Sequence, residues 1–127
     1  LKEHLYKSDH TMDAQIAYAV NQINAHEGKI SISHLMNEVN LCQRHFERKF
    51  KLHTGFTPQK YNSIVRFKNA IKILRNESSD NLLSVAVKAG YYDASHLSRE
   101  VKKLSGSTPN FFLSLPPDNE TTIIYTK

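Results

Sequence analysis

The strongest constraint on the fold is an internal echo. "KLHTGFTPQKY", from Lys51 to Tyr61, returns as "KKLSGSTPNFF", from Lys102 to Phe112, so Gly-x-Thr-Pro stands twice between a basic stretch and an aromatic. Sliding the chain by 51 residues lays "FERKFKLHTGFTPQKY" on "LSREVKKLSGSTPNFF". Arg48 then meets Arg99, Lys51 meets Lys102, Gly55 meets Gly106 and the Thr-Pro pairs coincide. Phe46, Phe50 and Tyr61 fall on Leu97, Val101 and Phe112, so the core positions stay apolar. Further upstream the register becomes 50, with Leu35-Met36 on Val85-Ala86, which puts one extra residue in the second copy around "YYD". Units of this size bury little apolar surface alone, so the two copies need a shared element to hold them together.

Between the two ends of the chain the periodicity is helical. Leu1 to His10 shows none and reads as a linker or frayed N-terminus. From Met12 to His26, Ile16, Ala19, Val20 and Ile23 step three and four residues apart, one face of an amphipathic helix that "EGK" stops at Gly28. Ser33 is the expected N-cap of a two-turn helix over "HLMNEV", and "CQRHFERKFKLHT" resumes helical spacing until Gly55. Thr57 and Pro58 restart the chain with a hydroxyl cap and a proline at the first helical position. The long helix that follows carries Tyr61, Ile64, Val65, Lys68, Ile71 and Leu74 on one side, and polar "NESSDN" ends it. A short helix, "LLSVAVKA", stops at Gly90; a basic helix, "ASHLSREVKKLS", is capped by Asp93 and stopped by Gly106. Thr108 and Pro109 cap a last helix, "NFFLSL", and the tail 116–127 reads as a disordered end or an edge strand. The subdivision expected is 1–10, a first unit over 11–57, a linker helix over 58–76, a second unit over 77–115, and the tail.

Short helix, tight turn and second helix with its polar face outward is the helix-turn-helix plan. The residue types suit DNA, where the second helix must present its N-terminal side chains to base edges while basic groups hold the phosphates. With Phe46 and Phe50 inward, Gln43, Arg44, Glu47 and Arg48 are left to read bases in the first copy. With Leu97 and Val101 inward, Ala94, Ser95, His96 and Arg99 are left in the second. Arginine pairs bidentately with guanine and glutamine with adenine, whereas a carboxylate must accept from cytosine or pair with an arginine. Lys51, Lys102 and Lys103 are the candidate phosphate contacts, and Cys42, where the second copy has Asp93, is a poor cap read as a partly buried thiol. The net charge of +5 over 127 residues suits a polyanionic partner.

The pattern resembles the paired helix-turn-helix domain of the AraC/XylS family of bacterial transcription regulators. The motifs that carry the likeness are "HFERKFKLHTGFTPQKY", "RFKNAIKIL" and "VAVKAGYYDASHLSREVKKLSGSTPNFF", within a span from Ile16 to Leu115. The resemblance implies an all-α fold of about seven helices, two helix-turn-helix subdomains joined by a long linker helix. It implies sequence-specific binding of double-stranded promoter DNA, with two recognition helices in adjacent major-groove segments, and no cofactor. RNA polymerase, and an effector or dimerisation domain outside this chain, are the further partners it implies. Arg66 of "RFKNA" stands where the family keeps a linker-helix arginine of structural role. Cys42, Met36 and Val101 depart from the serine or threonine, small residue and phenylalanine usual at their positions.

Other function classes find little to rest on. A single cysteine, Cys42, excludes an internal disulfide and a multi-cysteine metal site, and makes a reducing cytoplasm the default. The seven histidines show no compact ligand spacing, and the glycines stop helices without forming a phosphate loop. The chain begins at Leu1 and reads as a piece of a longer protein. Two rivals stay open: a helical module docking an acidic protein, and a DNA-repair enzyme needing a reactive thiol. The spacing adds one geometric expectation. A linker helix from Pro58 to Leu74 spans about 25 Å, short of the ~34 Å between successive major-groove faces; tilt of the reading helices, loose binding by one unit or bending of the DNA could cover the gap, and bending is the expectation.

Overall fold

A polar, basic chain with two apolar stripes per repeat can bury them only by folding helices against one another, and the computed structural model shows two such cores along one shared helix. It describes residues 2–76 and 81–115, with side chains from residue 14 onward. The described residues form seven helices: α1 (Lys2–Ala25), α2 (Ile32–Val39), α3 (Gln43–Thr54), α4 (Pro58–Asn76), α5 (Leu82–Ala89), α6 (Ala94–Ser105) and α7 (Pro109–Leu113). The starts of α2 and α5 differ by 50 residues and those of α3 and α6 by 51, so the extra residue falls in the second turn, as the sequence register requires. The tail 116–127, and 77–80 of the polar break, lie outside the described residues.

The first core gathers Ile16, Ala19 and Ile23 of α1, Leu35 and Val39 of α2, and Phe46 and Phe50 of α3, with Tyr61 and Val65 of α4 packed against it. Phe50 stands between Phe46 at 5.7 Å and the edge of Tyr61 at 5.6 Å, tilted contacts that aromatic quadrupoles favour. The second core gathers Phe67, Ala70, Ile71 and Leu74 of α4 with Val85, Leu97, Val101, Leu104 and Phe112. The linker helix therefore carries two stripes, one for each core. Lys68, expected on the inner side, is exposed, whereas Phe67 and Ala70 are fully buried. A single-stripe reading averages two directions and misplaces the residues where one gives way to the other.

Several boundaries move from their expected places. The first helix starts at Lys2 rather than near Met12, since apolar periodicity marks where a helix meets a core and not where its backbone ends. It ends on two successive left-handed residues, Glu27 (φ 55) and Gly28 (φ 75). The N–H of Gly28 donates to Ile23 O at 3.0 Å and that of Glu27 to Asn24 O at 3.1 Å, the Schellman pattern, so Glu27 shares the stop assigned to Gly28. Gly28 is needed for a second reason: a Cβ there would lie 2.3 Å from Arg66 N and 2.5 Å from Asn62 O. Ser31, not Ser33, caps α2, its Oγ accepting from His34 N–H at 3.3 Å; starting one turn-step earlier lets half-buried Ile32 join the first core. Ser33 is an exposed first-turn residue.

The remaining punctuation follows the repeat. Gly55, Gly90 and Gly106 end α3, α5 and α6 in the left-handed region, and Asn40 does so for α2. Thr57 Oγ1 caps α4 by accepting from Lys60 N–H at 3.2 Å, and Pro58 opens that helix, buried. Thr108 occupies the cap position of α7 with Pro109 following, yet its hydroxyl makes no cap bond. The Phe111 N–H goes to the Thr108 carbonyl at 3.1 Å instead, a tighter turn suited to so short a helix. A repeat signal that the motif alone did not display lies one residue earlier. Thr54 Oγ1 donates to Phe50 O and accepts from Phe56 N–H at 3.1 Å, and Ser105 Oγ does the same with Val101 O and Ser107 N–H at 3.1 Å. Each hydroxyl braces the backbone across the glycine stop.

Arg66 fastens the two units. Its Nη1 donates to Gly28 O at 3.0 Å, Nη2 to Ser63 Oγ at 3.2 Å and Nε to Glu100 Oε1 at 3.3 Å. Its guanidinium also lies over the ring of buried Tyr91, 5.2 Å from the centroid. The end of the first helix and α6 thus meet on one planar cation of the linker, a structural role of the kind the family resemblance implies.

Candidate nucleic-acid interface

The two helices expected to read DNA, α3 and α6, are each 12 residues long and bury matching positions, Phe46 and Phe50 in one, Leu97 and Val101 in the other. Burial of those positions turns the same arc of each helix outward. Gln43, Arg44, Arg48 and Lys51 are exposed on α3; Ser95, Arg99, Lys102 and Lys103 are exposed on α6. Glu47, Ala94 and His96 are half-buried at the edges of these faces. A shallow groove of about 690 Å³ runs along α3 beside His45, Arg48, Lys51 and Leu52. A second, of about 620 Å³, runs along α6 beside Ser98, Arg99, Lys102 and Lys103. Both grooves are bordered by the repeat-related Arg48/Arg99 and Lys51/Lys102 pairs.

Local chemistry sets how each side chain is presented. Asp93 caps α6, its Oδ1 accepting from His96 N–H at 2.8 Å. His96 Nδ1 accepts from Tyr92 N–H at 3.4 Å and its ring meets the edge of Tyr91 at 5.0 Å. With Nδ1 accepting, the neutral ring carries its proton on Nε2, a hydrogen-bond donor. Lys102 Nζ donates to Gly106 O at 3.1 Å, resting on the negative end of its own helix. On α3, Glu47 Oε2 accepts from Gln43 Nε2 at 3.2 Å and from Gln59 Nε2 at 3.4 Å. Cys42 precedes α3 without a side-chain cap bond and is exposed, not partly buried: Leu41 beside it fills the apolar place on the first core. The other departures sit in the two cores, Met36 half-buried against the first and Val101 fully buried in the second.

Two exposed side chains near these faces were not singled out by residue type. Leu52 is 74 % exposed on the outer face of α3, where the repeat places Lys103 in α6. Tyr92 is 88 % exposed in the turn before α6, the turn that holds the extra residue. Reading the repeat for its mismatches as well as its matches marks both.

A family model described as "Helix-turn-helix domain", of the AraC type, matches residues 35–114, from within α2 through α7, and so takes in both helix pairs and the linker helix but not α1. The chain belongs to the AraC/XylS family. It is 28% identical over 109 residues to the HTH-type transcriptional activator RhaS of Escherichia fergusonii, covering 85% of this chain and 39% of that protein. It is 29% identical over 82 residues to the raffinose operon transcriptional regulatory protein RafR of Pediococcus pentosaceus, covering 65% of this chain and 29% of that protein. The chain therefore spans well under half the length of these AraC/XylS relatives. Among solved structures it is similar to the DNA-binding domain of AdpA in complex with a target DNA, at TM-score 0.71 and 22% identity over 78% of this chain and 89% of that one. It is similar also to the C-terminal domain of AraT, a response regulator from Geobacillus stearothermophilus, at TM-score 0.73 and 18% identity over 85% of this chain and 91% of that one. These likenesses establish the AraC/XylS fold. The family consists of DNA-binding transcription regulators, which is not an enzyme class. Among the described residues no helix is long and apolar enough to cross a membrane.

Proposed function

We propose that this chain is the sequence-specific DNA-binding part of a bacterial transcription regulator, which places α3 and α6 in adjacent major-groove segments of a promoter site. The observation that carries the reading is the match between the outward faces: Arg48 and Arg99, with Lys51 and Lys102, project exposed from equivalent turns of two helices whose inner faces are equally buried. One basic helix face is ordinarily a solvated surface. Two faces with the same arginine and lysine positions, on repeats otherwise free to diverge, fit a ligand that itself repeats, as the DNA groove does. In this reading Gln43, Arg44, Glu47 and Arg48 of the first unit (11–57) and Ala94, Ser95, His96 and Arg99 of the second (77–115) meet base edges. Lys51, Lys102 and Lys103 meet phosphates, and the linker helix over 58–76 sets the spacing.

The chain acts by binding rather than by catalysis, and in the cytoplasm, where promoter DNA is found. Cys42 is exposed and makes no side-chain cap bond to α3, so a Cys42→Ser variant should bind DNA as the parent does. The experiment that tests the function is selection of sites from random duplex DNA with the purified chain. Recovery of a site with two conserved segments about one helical turn apart, bound with affinity that drops steeply with salt, is the expected result. Equal binding to selected and random duplexes would point instead to a protein partner.

A further inference from the structure

The repeat also exposes a difference between the two readers. Each carries one acidic residue, Glu47 in α3 and Glu100 in α6. Glu100 stands against the linker helix with Arg66 Nε 3.3 Å away, so its charge is cancelled. Glu47 has no such partner: the ion pairs among the described residues join Lys29 to Glu27, His34 to Glu38 and Arg66 to Glu100. Lys51 stands four residues on, at the spacing of a helical Glu–Lys pair, yet Glu47 Oε2 is turned to the amides of Gln43 and Gln59 instead. Two neutral amides hold a carboxylate in place without cancelling its charge. The equivalent residue in α6 is neutral Ser98, so this carboxylate is not part of the plan the two units share.

A fixed negative charge on a groove-facing helix is repelled by every phosphate near it, and weakens binding to any duplex unless a base supplies a donor. The major-groove edge of cytosine offers the N4 amine; adenine's N6 amine stands beside the N7 acceptor, which repels a carboxylate, and guanine and thymine offer acceptors, which it rejects. Both amides converge on Oε2, which leaves Oε1 to accept from a base.

Resting on the DNA-binding reading above, we propose that Glu47 is a specificity-determining residue of the first reader. It selects one cytosine by accepting from its N4 amine and penalises every other base at that position. Gln59, reaching from the first turn of α4, is its positioning residue.

The test measures binding of the parent chain, Glu47→Gln, Glu47→Ala and Gln59→Ala. The duplexes are the selected site, its single-base-pair variants across the first segment, and a random-sequence reference. Glu47→Gln keeps the shape and loses the charge, so cytosine preference at one position should fall about tenfold and shift toward adenine, which a glutamine reads. Glu47→Ala should flatten the preference there and bind the random duplex several-fold more tightly than the parent. Gln59→Ala should blunt the same preference at that position alone. Unchanged base preference in both Glu47 variants overturns the proposal, as does uniform weakening on all sequences, which would mark Glu47 as a brace between α3 and α4. Thermal melts of the four proteins confirm that each is folded. A parent chain that binds selected and random duplexes equally would defeat the DNA-reading function itself, a separate and distinguishable result.

Discussion

Arg48 and Arg99 leave equivalent turns of their helices exposed to solvent, so each should be felt at one base position and not across the site. Arg48→Ala and Arg99→Ala are each expected to cost ~1–3 kcal/mol of binding and to relax preference at a single base pair, measured by competition with substituted duplexes. Lys102→Ala should weaken all sequences alike and reduce the salt slope by about one. Tyr91 sets a pH dependence of folding. Burial raises its hydroxyl pKa above the ordinary value of 10.0, and the Glu100 carboxylate adds to the shift. Below that pH both folded and unfolded chains keep the proton; above it the unfolded chain ionises first and drains the folded state. Stability should therefore fall as pH rises past 10.0, and less steeply in Tyr91→Phe, as urea unfolding over that range would show. Residue type and spacing made the outward placement of Arg48, Arg99, Lys51, Lys102 and Lys103 legible from sequence. The bond of Glu47 to Gln59 was not, because α3 and α4 meet there only after the Gly55 turn folds back. Ser33 in place of Ser31 was misread for a simpler reason: "ISIS" offers two hydroxyls, and only the packing of Ile32 decides between them.

Among the elements, the glycine-stopped turns were the most legible and the linker helix the least. Gly-x-Thr-Pro fixes a stop and a start chemically, whatever the helices pack against. The faces of α4 depend on which core each half meets, and that is a tertiary fact. The same contrast separates two glycines of positive φ. Around Gly55 an added Cβ meets nothing within 4 Å, so Gly55→Ala should cost only the left-handed conformational strain of about 1–2 kcal/mol. Around Gly28 it meets the backbone of Asn62 and Arg66, and the helices must part to admit it. Gly28→Ala should lower the melting temperature far more than Gly55→Ala, and calorimetry of the two variants would check the order.

At the scale of the whole molecule, the linker helix fills the expected span 58–76; its 19 residues are about 28 Å long, still short of the ~34 Å between successive groove faces. Binding with both readers should bend the site, and a circular-permutation gel or a fluorescence end-to-end measurement should register it. Unbent DNA under a footprint covering both segments would contradict the expectation. Arg66 is 15% exposed and its partner Glu100 14%, so Arg66→Ala strands a carboxylate in a dry seam and should destabilise the fold by about 3 kcal/mol, read by urea unfolding. The same side chain has a consequence for the genome that the protein would search. With Gly28 and Glu100 held on one guanidinium of the linker helix, the end of α1 and α6 are tied together at folding, which should leave the two proposed readers little freedom to adjust their spacing on arrival at a site. One base pair inserted between the two segments moves the second by about 3.4 Å and turns it by roughly 35°. A hinged pair of readers would absorb that change; a bolted pair treats the two spellings as different addresses.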